Sequence, residues 1–123
     1  MDIAIYELKQ PGEDHEYISF RVNADCNLGR FLVYDTSYLD RKGQMENPNH
    51  HVYHFPDVDV SQDEIQMIRL YTKYPYKPKK WIDPDGNNTL ILSWFLPRPI
   101  LNSAGHSIHL VEIAHADFKS YND

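Results

Sequence analysis

Cysteine is nearly absent from this 123-residue chain, with Cys26 standing alone. An intrachain disulfide is thereby excluded, and so is a metal site built from several thiolates. Cys26 reads as a small residue in or beside a turn, with a reactive thiol as the sharper alternative. Long apolar runs are missing too, so no stretch reads as a membrane span. The opening Met-Asp-Ile-Ala-Ile-Tyr-Glu lacks the basic region and apolar run of a secretion signal. A cytoplasmic location is the matching expectation, with a previously removed leader left open. Positive charge is scarce: 12 Lys and Arg face 18 Asp and Glu, for a net charge of −6. That balance works against a broad electrostatic grip on nucleic acid or anionic lipid. The chain also lacks a phosphate-cradling glycine loop, a G-x-S-x-G elbow and an HExxH pair. No segment of ten or more residues carries a 3.6-residue period, and there is no internal repeat.

What the chain has in quantity is aromatic residues, including nine tyrosines and five phenylalanines, arranged in two-residue rhythms. Side chains of a strand alternate between the faces of a sheet, so period two predicts β-structure. Ile18, Phe20 and Val22 alternate with Tyr17, Ser19 and Arg21. Ile68 and Leu70 alternate with Met67, Arg69 and Tyr71, and Ile108 and Leu110 with His109 and Val111. Residues 2–8, 30–35, 50–55 and 90–95 read as further strands, and Pro56 stops the strand before it. Ser61-Gln62-Asp63-Glu64 reads as the turn into the strand 65–72. Residues 36–49 and 73–89 read as two long loops, rich in Pro, Gly and Asn. Pro97, Arg98 and Pro99 suggest an edge device against sheet pairing. The expected fold is all-β: an immunoglobulin-like antiparallel β-sandwich of about seven to nine strands. One domain over 1–123 is expected, with its core at about 16–114 and a frayed tail at 116–123.

Taken together, Glu16-Tyr17-Ile18-Ser19-Phe20-Arg21-Val22, Leu28-Gly29-Arg30-Phe31-Leu32-Val33-Tyr34-Asp35, Tyr53-His54-Phe55-Pro56, the strand 65–71 and Leu101-Asn102-Ser103-Ala104-Gly105 resemble a lamin tail domain. Arg30 stands where that family often has tryptophan, and Gln62-Asp63-Glu64 where it usually has Pro-Gly or Ala-Gly. The resemblance implies an immunoglobulin-like scaffold with a non-catalytic interaction role, and it carries over no catalytic residues. A protein partner is expected, with self-association and weak nucleic-acid contact as alternatives. No membrane, cofactor or metal is expected.

The candidate partner-binding residues are Lys73, Tyr74, Tyr76, Lys77, Lys79, Lys80 and Trp81. Lysines interleaved with aromatics can neutralise phosphates while rings stack on bases, and the proline spacing suits an extended segment docked on a partner. The plainer reading packs these rings over the end of the sandwich. Seven histidines offer an enzymatic alternative, a His/carboxylate metal-dependent hydrolase. His50, His51 and His54 cluster, with Asp57 or Glu112 as completing ligands, yet only His50 and His54 share a strand face. His106 and His109 lie on the last strand. Asp83-Pro84-Asp85-Gly86-Asn87-Asn88 echoes the start of a calcium loop, but its glycine falls at position four rather than six, and a tight turn is expected instead. Asp57 and Asp59 share a face, as solvated carboxylates near a turn. Trp94, between Leu92 and Leu96, is expected in the core.

Overall fold

A computed structural model describes residues 1–36, 49–101, 106–117 and 119–121, with the side chains of Asn49 and His50 outside the description. The greater part of the expected loop at 36–49 and the expected turn at 102–105 lie outside the described residues. The strands are β1 (Ile3–Lys9), β2 (Tyr17–Val22), β3 (Cys26–Asn27), β4 (Phe31–Thr36), β5 (Asn49–His54), β6 (Asp59–Val60), β7 (Met67–Tyr71), β8 (Lys79–Ile82), β9 (Asn88–Ser93) and β10 (Ser107–Glu112). A 3₁₀ turn at Leu28–Arg30 precedes β4.

The expected all-β sandwich is present. A five-stranded sheet in the order β1-β2-β7-β9-β8 faces a three-stranded sheet in the order β10-β4-β5, with a short β3-β6 ribbon beside them. Two features differ from expectation. The described residues form ten strands rather than seven to nine. The pairing is not wholly antiparallel, because β7 and β9 run parallel. The parallel pairing and one of the added strands come from residues 73–89, which are not one long loop; the other added strands are the short β3 and β6. Lys79–Ile82 forms an edge strand, antiparallel to β9. The hairpin β8–β9 folds back so that β9 enters between β7 and β8, and the inserted strand must then run alongside β7.

Alternation places the core as read. Ile18, Phe20 and Val22 of β2 and Ile68 and Leu70 of β7 are buried, together with Phe31 and Val33 of β4. Leu110 packs against the same cluster from β10. The core extends to Ile3 of β1, which is wholly buried. Phe20 meets Phe55 edge-on at 5.3 Å, and Tyr53 reaches both Phe55 and Trp94. Trp94 is a core residue, as its sequence neighbours suggested.

Two buried residues are acidic, Asp35 at 4% exposure and Glu16. Glu16, the residue ahead of β2, has no solvent exposure. Its Oε1 accepts from Thr72 Oγ1 at 2.8 Å and from the Ile100 amide at 2.9 Å; its Oε2 accepts from the Gly12 and Leu101 amides at 2.7 and 3.0 Å. No cation pairs with it among the described residues. All its partners donate, and a carboxylate suits them because its oxygens only accept. The clamp ties the turn after β1, the end of β7 and the segment crossing from one sheet to the other.

Removing that acceptor strands buried amides, each of which costs about 1–3 kcal/mol when unpaired. We predict that Glu16→Ala lowers the unfolding free energy by about 3 kcal/mol or more in urea titrations. Glu16→Gln, whose amide turns donors against donors, should lose about 1–3 kcal/mol. A loss below about 0.5 kcal/mol for both variants would mean that the clamp is not structural.

Candidate functional site

The outward parity of the five-stranded sheet carries rings and cations instead of ordinary polar residues. Tyr17 sits opposite Tyr71 and Ser19 opposite Arg69 across the β2–β7 ladder, with Arg21 opposite Met67. A bulge in β1 at Tyr6 brings that ring to the same side, beneath the Arg21 guanidinium at 4.6 Å. The Arg69 guanidinium lies 4.1 Å from the Tyr17 ring centre and 4.9 Å from that of Trp81, and donates to the Tyr71 hydroxyl at 3.2 Å. Each cation–π contact of this kind contributes about 0.5–2 kcal/mol, most where water is excluded. Thr89 and Ile91, which point outward from β9, are only 2% and 3% exposed. The rings and guanidiniums are therefore a packed layer over an otherwise open sheet face.

Segment 72–78 feeds this layer. Lys73 donates to Asp14 at 2.7 Å, and its ammonium holds the Asp14 carboxyl below its usual range. Tyr74 stacks on His15 at 4.5 Å and leans on Tyr76 at 4.6 Å. Tyr76 packs on Tyr71 at 4.7 Å, and Lys79 sits over the Tyr76 ring at 4.6 Å. Burial, with help from the neighbouring Tyr71 and Tyr74 phenols, raises the Tyr76 phenol. Ser93 Oγ ties the segment down by donating to the Tyr74 carbonyl at 2.7 Å. Of the seven candidate residues, Tyr74, Tyr76, Lys79 and Trp81 thus join one ring layer, Lys73 is paired with Asp14, and Lys77 and Lys80 are exposed. Lys80 belongs to the opposite parity of β8 from Lys79 and Trp81.

Two hollows open in this face. One, of about 200 Å³, is lined by Tyr6, Tyr17, Arg21, Arg69 and Asp85, among others. The second, of about 230 Å³, has Ile91 as its floor and Tyr71, Tyr76, Lys79 and Trp81 as its walls. Arg69 borders the first, Trp81 the second, and the contact between those two side chains divides them.

Sequence reasoning marked the 73–81 stretch but not Tyr6, Tyr17, Arg21, Arg69 and Tyr71, which complete the layer. The signal was available in the outward parities of β2 and β7, where Tyr and Arg replace the Ser, Thr and Lys of an ordinary solvated face. Phe95 was also missed. It is 62% exposed with φ +58°, a conformation strained for a bulky residue. It leaves β9 next to Thr72, whose carbonyl accepts from the Leu96 amide.

His51, His54 and His109 make local contacts. His51 Nδ1 lies 3.2 Å from Asp35 Oδ1, which also accepts from the His51 amide. His54 Nε2 meets the Gly29 carbonyl at 2.6 Å. His109 stacks on Tyr34 and meets Thr36 and Ser107 through Nε2. No group of three or more His, Cys, Asp or Glu converges as a metal site among the described residues. Asp57 and Asp59 both accept from Asn27 Nδ2, while Asn27 Oδ1 accepts from the Gly29 amide. A Cβ on Gly29 would stand 2.9 Å from that same oxygen and 3.3 Å from Asp57 Cα, so a larger residue would displace the Asn27 side chain from this turn. Residues 83–87 form the expected tight turn: Asp83 Oδ1 accepts from the Asp85 and Asn87 amides, and Gly86 takes φ +84°. Burial, reinforced by the carboxylates of Asp2, Asp25 and Glu112, raises the Cys26 thiol. That shift disfavours the thiolate a reactive cysteine needs.

No family model, curated protein or solved structure matches this chain.

Burial pushes the Tyr53 phenol up to about 12 from an ordinary value of 10.0. Folding thus favours its neutral form, and the stability it supports is whole below the ordinary value and lost as pH rises through the folded one. We predict that thermal stability falls between pH 10 and 12, and less steeply in Tyr53→Phe, which keeps the ring. Equal slopes in a pH series of melting curves would contradict this assignment.

Proposed function

We propose that this chain is a non-catalytic interaction module of lamin-tail-like, immunoglobulin-like kind, and that its partner is a protein held on the outer face of the five-stranded sheet. The observation that carries the reading is the ring-and-guanidinium layer over β2, β7, β9 and β8. Protein-binding surfaces are enriched in Tyr, Trp and Arg; Tyr and Trp combine contact area with few rotors, and Arg adds a planar fork of donors. Around the layer, Tyr74, Trp81, Ile82 and Phe95 are 37%, 40%, 66% and 62% exposed. An edge strand carrying Trp81 and Ile82 side by side is costly to leave bare, since it invites pairing with other chains. A partner that covers it gives those residues a use.

The order of segments from about Glu16 to Ala114 that resembles a lamin tail domain supports the same role. Nucleic acid is the weaker reading of this face. Lys73 is paired with Asp14, Lys79 sits on Tyr76, and Asp83 and Asp85 line the neighbouring hollow. With these lysines engaged, few cations remain along the face to neutralise a run of phosphates. A hydrolase based on the histidines has less support still, because His51 is joined to Asp35 and His54 to a backbone carbonyl.

The test compares capture of binding proteins, and sedimentation of the purified chain, for the wild type and for Tyr76→Ala and Trp81→Ala. Loss of a captured protein or of a self-associated species by about tenfold in Trp81→Ala, with the melting temperature kept within a few degrees, supports the reading. Capture and sedimentation that are unchanged in both variants contradict it.

A further inference from the structure

The hollow on the β1 side of the sheet holds two guanidiniums in an unusual state. Arg21 and Arg69 occupy diagonal positions on β2 and β7, since Arg21 faces Met67 and Arg69 faces Ser19. Diagonal neighbours on one sheet face are within reach of each other's long side chains, and like charges so placed repel. Among the described residues no carboxylate lies within ion-pair distance of either one. Glu7, Asp83 and Asp85 line the same hollow without pairing with either guanidinium. Glu7 pairs with Lys9 at 3.5 Å, and Asp83 caps the amides of its own turn. Each guanidinium instead lies over a ring, Arg21 over Tyr6 and Arg69 over Tyr17 and Trp81, and Arg69 also donates to the Tyr71 hydroxyl. A ring contact does not neutralise the fork, so N–H donors remain for an outside acceptor.

We infer that this hollow receives the carboxylate of an acidic side chain from an extended segment of a partner protein. The anion lies between Arg21 and Arg69, removes their mutual repulsion, and gains charge-assisted hydrogen bonds from planar forks. Asp85, which also lines the hollow, accepts from the amide donors of the same segment, which a peptide has and a phosphate backbone lacks. The rings that would stack on bases or sugars already carry Arg21, Arg69 and Lys79 over them. A volume of about 200 Å³ suits one side chain with its flanking backbone. The net charge of −6 does not prevent a short acidic segment from docking, because charges farther than about 8 Å are screened at physiological salt. The inference rests on the reading of this face as a protein-binding surface, and names the chemistry of what it binds.

The probe is fluorescein-labelled hexaglutamate, with hexaglutamine as its uncharged counterpart and oligothymidylate as a phosphate polymer, followed by fluorescence anisotropy at physiological salt. The expected result is that hexaglutamate binds about tenfold or more tightly relative to hexaglutamine. Arg21→Gln and Arg69→Gln should each weaken it by about tenfold, and Arg69→Lys, which keeps the charge but not the fork, should weaken it as well. Circular dichroism melting of each variant reports whether the fold is kept, and Arg21→Gln, on an exposed residue, guards against loss of structure in the Arg69 variants. Equal affinity for hexaglutamate and hexaglutamine, no effect of Arg21→Gln, or tighter Arg21-dependent binding of oligothymidylate would each overturn the inference. If hexaglutamate selectivity is absent while Trp81→Ala still abolishes partner capture, the inference fails and the protein-binding reading stands. If both are absent, both fail.

Discussion

The buried carboxylate of Glu16 governs how the two sheets are joined. Burying a charge is expensive unless every lone pair finds a donor, and here the donors come from three separated stretches of chain. Gly12 closes the turn out of β1, Thr72 ends β7, and Ile100 and Leu101 belong to the crossing that leads to β10 in the other sheet. A hydrophobic contact could hold the same pieces together, but it would not specify which amide sits where. Hydrogen bonds to one small group do, because a shift of about 1 Å breaks them.

That constraint reaches the outer face directly. Glu16 precedes Tyr17, and Thr72 follows Tyr71, so the clamp sets where these two rings emerge at 5.2 Å from each other. Arg69 is then seated on Tyr17, Trp81 on Arg69, and Tyr76 on Tyr71. The edge strand β8 is held to the sheet both by its ladder with β9 and by this chain of ring contacts. A side chain that only accepts hydrogen bonds, inside the molecule, thereby organises a surface whose chemistry is aromatic and cationic. The proposed partner contact lies on a support made rigid for structural reasons.

The sequence made the half-buried strands legible because one face of each meets the core and the other meets water. β2 and β7 follow that rule, and their buried parity was readable residue by residue; in β10 Ile108 and Leu110 pack on the core as read, but Ser107 to Val111 are all half-buried. β8 was not readable, for a physical reason: an edge strand overhanging the core pairs on one side only and needs no alternation. Its Lys79-Lys80-Trp81-Ile82 is exposed throughout and sits between prolines that suggest a loop. The parallel pairing of β7 with β9 follows from where the β8–β9 hairpin inserts, which no local pattern encodes. Cys26–Asn27 and Asp59–Val60 are too short to carry a period. Glu16 could be placed ahead of a strand, but its burial depends on donors 56 to 85 residues away. As for the site, composition drew attention to the lysine-rich stretch, while the arginines of the layer were hidden as ordinary outward residues of regular strands.

The account stands on the amides that Glu16 holds, and amide hydrogen exchange reads those amides one at a time. If the clamp organises the molecule, the Ile100 and Leu101 amides, in a segment without regular secondary structure, exchange only through global unfolding. Their protection then matches that of Ile68 and Leu70 in β7, and it collapses in a Glu16 variant before that of the core strands does. Exchange of Ile100 and Leu101 at the rates of an exposed loop in the wild-type protein would contradict the account.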